Sequence, residues 1–220
     1  MNRQQQGREK EKTERKSLPR INGTGLSPLI ISCSYLLQEQ RGFNCLKKSL
    51  PLSSTRMKAG KYMNNKKERI ADAIDRSRDE LFELSKKIHD HPELGFEEFQ
   101  AVEAISSVLE HHGFQVQKGY GGLQTAFRAD KAGKGKGPNV AFLAEYDALR
   151  GIGHGCGHNL IATCSTGAFL GLASMMAELN GNVCLIGTPA EEGGAGKVKL
   201  LRNGAFDDVD FALMMHPSSG

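Results

Sequence analysis

Residues 140–143 read Val-Ala-Phe-Leu, residues 160–179 read LIATCSTGAFLGLASMMAEL, and residues 183–186 read Val-Cys-Leu-Ile. Two apolar runs of strand length thus flank an Ala-rich stretch long enough for a helix. A third apolar run, Val-Asp-Phe-Ala-Leu-Met-Met, follows at residues 209–215. Strands that are apolar along their whole length are buried on both faces, and strand, helix, strand is the repeating unit of a parallel sheet. The predicted fold class is therefore α/β, a mostly parallel sheet with flanking helices.

Upstream, Ile70, Ile74, Leu81, Leu84 and Ile88 recur at helical spacings and predict one helix with a buried stripe. Beyond Pro92, the residues Phe99, Val102, Ile105, Val108 and Leu109 mark the apolar face of a second helix. His111-His112-Gly113 supplies its C-terminal turn, where imidazoles sit favourably at the negative end of the helix dipole and read as end-of-helix residues rather than ligands. Short strands are expected at residues 114–116 and 125–128, joined by the turn Gly119-Tyr120-Gly121-Gly122. The Gly- and Lys-rich run at residues 131–138 lacks the spacing of a phosphate-binding loop and reads as an exposed loop.

The chain has 220 residues and a net charge of +4, but that charge is unevenly placed. Residues 1–62 carry 13 Lys+Arg against 4 Asp+Glu, and the remainder carries 16 against 21. The basic character belongs to the leader, so the remainder gives no electrostatic case for nucleic acid. Residues 1–62 lack sustained periodicity and read as a disordered or non-native leader; a targeting segment and translated sequence upstream of Met63 are the other readings. Residues 63–220 suffice for one domain with a core. The longest early apolar stretch, residues 26–37, is too short to cross a bilayer, so no membrane span is expected. The 5 Cys form no paired framework and no Cys-x-x-Cys site, which suits a reducing, cytoplasmic location.

The chemistry is expected at the carboxyl ends of the parallel strands, where chain leaves sheet for loop. Glu145-Tyr146-Asp147 and Gly153-His154-Gly155-Cys156-Gly157-His158-Asn159 follow the first run, Pro189-Ala190-Glu191-Glu192-Gly193-Gly194 follows the second, and His216-Pro217 follows the third. Thiolate, imidazole and carboxylate at one sheet edge form a ligand set suited to zinc or another first-row divalent ion. Neighbouring Glu191 and Glu192 point apart, so one can bind metal while the other faces an attacking water. A Cys156 nucleophile activated by His158 is the competing reading, and it leaves the two Glu and the terminal His without a role.

Together with His91-Pro92-Glu93-Leu94-Gly95-Phe96-Glu97-Glu98, and with Asp147-Ala148-Leu149 and Met215-His216-Pro217, these stretches resemble in order the motifs of the aminoacylase and carboxypeptidase metallohydrolases, peptidase family M20. They look most like the branch that holds the N-acyl-amino-acid amidohydrolases and the Xaa-Arg dipeptidase-like members. The resemblance covers about residues 63–220. It implies the N-terminal part of a zinc-peptidase-like catalytic domain, with Cys156, His158, Glu192 and His216 as metal ligands. Cys156 would stand where relatives often carry a bridging Asp. Glu191 becomes the general base and Asp147 an orienting carboxylate. The cofactor implied is one or two divalent ions, zinc or manganese. The implied reaction is hydrolysis of the amide bond of an N-acyl amino acid or dipeptide by metal-activated water. His154 is left between a contact to substrate or metal and a turn-stabilising role, and His89 and His91 read as structural.

Two departures stand out. Arg150 replaces a common Pro, and Asn159 replaces a common Asp. The family pattern also places a further His ligand and a lid domain, which helps full-length relatives dimerise, beyond the position of Gly220. The alternative function is therefore a catalytically incomplete metal-binding fragment of such an enzyme.

Overall fold

The structure, a computed structural model, describes residues 29–32 and 54–217. Its centre is a six-stranded sheet: β1 (Leu29–Ser32), β2 (Val116–Lys118), β3 (Phe127–Ala132), β4 (Asn139–Ala144), β5 (Asn182–Gly187) and β6 (Phe211–Met214), in the spatial order β1-β6-β4-β5-β3-β2. Strands β1, β6, β4 and β5 run parallel, and β3 and β2 add an antiparallel edge. The α/β class and the predominantly parallel sheet expected from the three apolar runs are both observed.

The helices are α1 (Ser54–Arg76), α2 (Arg78–Asp90), α3 (Phe99–His111), α4 (His158–Ala173) and the short α5 (Gly196–Arg202). Alternate residues of β5 explain why its sequence is apolar throughout. Val183 and Leu185 join Leu84, Ile88, Val102, Ile105, Leu109 and Phe169 in one core layer. Cys184 and Ile186 join Ala141, Leu143, Val209 and Ala212 in the layer on the other face. Covering both faces is what a parallel sheet requires, and each large side chain so buried contributes roughly 1.5–3 kcal/mol. Helix α4 crosses from β4 to β5 and is buried almost all round, so its sequence shows little amphipathic contrast.

Several expectations are corrected in detail. The stripe from Ile70 to Ile88 belongs to two helices: Ser77 leaves helical geometry (φ −95°, ψ 7°), and the chain restarts at Arg78. Leu81, Leu84 and Ile88 are buried while Ile70 and Ile74 are only partly covered. Phe99, expected on the buried face of α3, is 54% exposed because it opens the helix before its apolar stripe meets the core. The two antiparallel strands begin two residues later than expected, since Gly119 to Gly122 form a tight turn that shifts the pairing register. The helix expected at residues 160–179 ends at Ala173 and gives way to a 3₁₀ turn at Met176–Glu178. Of the leader, residues 29–32 pair with β6 and α1 runs through the boundary placed at Met63. The rest of residues 1–53 lies outside the described residues. Among the described residues, no helix is long and apolar enough to cross a membrane.

The antiparallel edge is tied to the parallel core by Arg128. Its guanidinium donates to Asp208 Oδ1 and Oδ2 at 2.8 and 2.6 Å, to Asp130 Oδ1 at 2.8 Å and to the Tyr120 hydroxyl at 2.8 Å. That hydrogen bonding holds the Asp208 carboxyl below its ordinary pKa. The folded chain therefore resists protonation at Asp208 more than the unfolded chain does. The stabilisation is complete above the ordinary Asp range, near pH 4, and is lost as pH falls through the depressed folded value. Asp208→Asn should lower the urea midpoint at pH 7 and flatten its decline between about pH 4 and pH 2. An unchanged acid limb in the variant would show that the pair is not linked to folding.

Candidate metal centre

Three strand ends deliver the polar groups. Beyond β4 the chain stays extended, so Tyr146 points into the core and its neighbours point out on the other side. Tyr146 is fully buried and donates to the Thr125 carbonyl at 2.6 Å, stacked on Phe127. Glu145 and Asp147, each 1% exposed, turn towards His158 instead.

His158 is the hub. Its Nδ1 lies 2.8 Å from the Asp147 carbonyl and 3.0 Å from Asp147 Oδ1. Two acceptors at one nitrogen require that nitrogen to carry the proton, which leaves the Nε2 lone pair directed into the site. Nε2 is buried without a hydrogen bond, 3.5 Å from Glu145 Oε2 and 3.8 Å from Glu192 Oε1. Glu145 Oε2 is likewise buried without a hydrogen bond. Burial alone would lower the His158 pKa, but Asp147 and Glu145 outweigh it and raise it. Asp147 is the converse case: burial pushes it up, and His158 with the backbone N–H groups of the Glu191-Glu192 turn brings it below its usual value. The Glu192 N–H donates to Asp147 Oδ2 at 2.9 Å.

Two ligand-like triads share His158. Donor atoms of Cys156, His158 and Glu192 lie within 4.8 Å of one another, as do those of Glu145, His158 and His216. All four expected ligands therefore gather around one imidazole, although His216 groups with Glu145 and His158 rather than with Cys156 and Glu192. The His216 ring stands nearly perpendicular to that of His158, with centroids 6.1 Å apart. Its Nδ1 faces the Pro217 carbonyl at 2.7 Å. Gly157 makes this approach feasible. It holds φ 75° at the start of α4, and a Cβ there would sit 2.9 Å from Pro217 Cγ. The donor set fits a divalent cation: a thiol, two imidazoles and two carboxylates, with a buried nitrogen and a buried oxygen left unpartnered at their meeting point.

The Cys156 thiol is pushed up to about 11 by its hydrogen bond to Glu192, by burial and by the charges of Glu192, Glu191 and Asp147. A nucleophilic cysteine needs an electropositive setting, so the thiol-hydrolase reading is disfavoured. His154 belongs to neither triad. It lines an adjoining cleft with His89, Pro92, Leu94, Arg150 and Ile152, and burial lowers its pKa. His91 Nδ1 faces the Lys87 carbonyl at 2.9 Å, at the end of α2.

Glu191 and Glu192 diverge because the turn carrying them is distorted. Ala190 and Ala195, on either side, have φ 55° and 51°, and Glu192 itself has ψ 83°. Glu192 is half-buried beside Cys156, whereas Glu191 is exposed. The stretch from Glu93 to Glu98 holds this turn. Glu93 caps α3 by accepting the N–H groups of Gln100 and Ala101 at 3.0 and 2.9 Å. Gly95 packs so closely that a Cβ on it would lie 2.8 Å from Ala190 Cβ. Phe96 has φ 68°, and the carboxylate of Glu98, fully buried, accepts the Ala190 N–H at 2.8 Å. Burial raises the Glu98 pKa.

Sequence reasoning quotes Glu145 and Glu98 without giving either a role and passes over Lys197, yet the structure places all three in or against the site. Lys197 pairs with Glu145 Oε1 inside the site. Glu145 lies two residues from Asp147 at a strand end, and its alternation with Tyr146 is the one signal that could have found it. Glu98 and Lys197 carry none, because each acts through a partner distant in the chain.

Comparison with known proteins agrees with this picture. The model of Peptidase family M20/M25/M40 matches residues 138–220. The chain is similar to a p-aminobenzoyl-glutamate hydrolase polypeptide of Escherichia coli (40% identical over 169 residues, 68% of this chain and 35% of the relative). It is also similar to the Xaa-Arg dipeptidase of Mus musculus (42% over 165 residues, 69% and 38%). The chain thus spans little more than a third of the length of these relatives. A solved structure from Bacillus subtilis, the YXEP protein, described as a dinuclear metal binding peptidase, superimposes with a TM-score of 0.59 at 31% identity, over 63% of this chain and 42% of that one.

Glu98→Ala should leave the Ala190 N–H buried without an acceptor, at a cost of about 1–3 kcal/mol. Glu98→Gln retains an acceptor and should recover most of that loss. Urea unfolding of the two variants checks this, and equal destabilisation would refute the hydrogen-bond account.

Proposed function

Since this chain belongs to peptidase family M20/M25/M40, we propose that it carries most of the catalytic centre of a metal-dependent hydrolase that cleaves the amide bond of N-acyl amino acids or dipeptides. The observation that carries the reading is that donor atoms of Cys156, Glu192, His216 and Glu145 all lie within 4.8 Å of a donor atom of His158, whose Nε2 is buried and unpartnered. The names of the relatives, an aminobenzoyl-glutamate hydrolase and a dipeptidase, support an amide substrate.

Cys156, His158, Glu192 and His216 would hold one or two divalent ions, zinc or manganese. When bound, such ions polarise a carbonyl and acidify water. The chain's own residues do the rest. Asp147 fixes the tautomer and orientation of His158 through Nδ1. Glu191, exposed where Glu192 is drawn inward, takes the proton of the attacking water at its carboxylate and passes it to the leaving amine. The unpaired cysteines Cys156, Cys164 and Cys184 suit a cytoplasmic protein.

Glu191→Gln should reduce hydrolysis of an N-acyl amino acid or dipeptide by about 100- to 10,000-fold while metal content measured on the same preparation stays unchanged. Chelation should abolish turnover and added zinc or manganese should restore it. Activity retained by the Gln variant would end the general-base assignment. Stoichiometric metal without any turnover in the unaltered chain would favour the alternative, a catalytically incomplete metal-binding unit.

A further inference from the structure

His111 and His112 do more than end a helix, because the structure gives them a third partner. Glu80, in the first turn of α2, places Oε1 2.8 Å from His111 Nδ1 and Oε2 2.8 Å from His112 Nε2. Adjacent residues can reach one point here because they use different ring nitrogens and because His112 has already left helical geometry (φ −83°, ψ 7°). The two rings stand 5.4 Å apart at an angle of 62°. Donor atoms of all three residues lie within 4.8 Å of one another.

From these observations we propose that Glu80, His111 and His112 form a zinc-type cation site that clips α2 to α3. Two imidazoles and one carboxylate are a recognised zinc set, leaving a fourth position for water. Bonds of about 2.0–2.2 Å to a tetrahedral ion would separate the donor atoms by on the order of 3.3 Å, so the 2.8 Å contacts, made to different oxygens of Glu80, must open slightly while the two ring nitrogens turn to a common point. In the metal-free chain His111 Nδ1 and His112 Nε2 donate to the Glu80 carboxylate; the cation displaces those hydrogen bonds, each ring keeps one proton on its other nitrogen, and any proton in excess is released to solvent. The negative end of the α3 dipole favours a cation at this place. Side-chain exposures of 75% for His111, 31% for His112 and 29% for Glu80 leave the site open to solvent. None of the three residues takes part in the centre around His158, and imidazole donors select against magnesium and calcium.

Zinc titration of the full 220-residue chain, stripped of metal and followed by calorimetry at pH 7.5, tests this against a plain surface ion pair. The unaltered chain should bind one more zinc equivalent than a His111→Ala, His112→Ala variant. Glu80→Gln should weaken that equivalent at least tenfold, and magnesium should produce no matching event. In nuclear magnetic resonance spectra, the ring protons of His111 and His112 should shift on zinc addition and not on magnesium addition. Equal zinc stoichiometry in the unaltered chain and both variants, or unmoved His111 and His112 signals, would overturn the proposal. Urea midpoints of the variants confirm folding, and the ring-proton shifts in the unaltered chain decide the matter if either substitution disturbs it.

Discussion

The hydrogen bond between His158 Nδ1 and Asp147 is the contact on which the site geometry turns. It joins the end of β4 to the first residue of α4, and it decides which nitrogen of the imidazole is free. Asp147 also receives the N–H of Glu192, so one carboxylate fixes the positions of groups that arrive from two strand ends. A buried carboxylate with such partners stays ionised, and its charge in turn fixes the ring. The parallel sheet makes this arrangement possible because β4 has β5 on one side and β6 on the other, so that the chain segments leaving all three open onto a common edge.

Holding the acidic turn in place has a conformational cost. Phe96, Ala190 and Ala195 are the non-glycine residues with positive φ among the described residues, and all three flank or pack against the Glu191-Glu192 turn. Each left-handed non-glycine residue costs on the order of 1–3 kcal/mol. The buried hydrogen bond from Ala190 to Glu98, the close packing of Gly95 and Gly194 on Ala190, and the stacking of Lys199 over Phe96 offset it. The three strained residues thus cluster at the turn that sets Glu192 beside Cys156.

What the sequence discloses follows from the range over which its signals act. The strands β4 and β5 and the helix between them are legible because uniform apolarity reflects burial on both faces, a property local to each run. The clusters at their ends are legible because strand ends are fixed points in such a sheet. Ser77 escapes notice because Ile74 and Leu81 keep a helical spacing across the break. Phe99 is misplaced because periodicity gives a face without saying where along the helix the core begins. Glu80 with His111 and His112, Glu145 with Lys197, and Glu98 with Ala190 are illegible for one reason: each is a pairing of residues far apart in the chain, set by packing and unmarked by spacing.

Charge determines what can occupy the space between the site residues. Glu145, Asp147 and Glu192 face inward with Glu191 beside them, against Lys197 and the imidazoles of His158 and His216. The Cys156 thiol registers this negative field by holding its proton up to about 11. A divalent cation placed among the same groups reverses the field, since a coordinated thiol gives up its proton. The features that make Cys156 inert as a nucleophile are therefore those that suit it as a ligand. Lys197 fits the same logic: by pairing with one oxygen of Glu145 it relieves part of the negative charge, while the other oxygen stays directed at His158 Nε2. Glu145 thus stands with the donor groups of the candidate site, and only its alternation with Tyr146 sets it apart from an ordinary strand-end carboxylate.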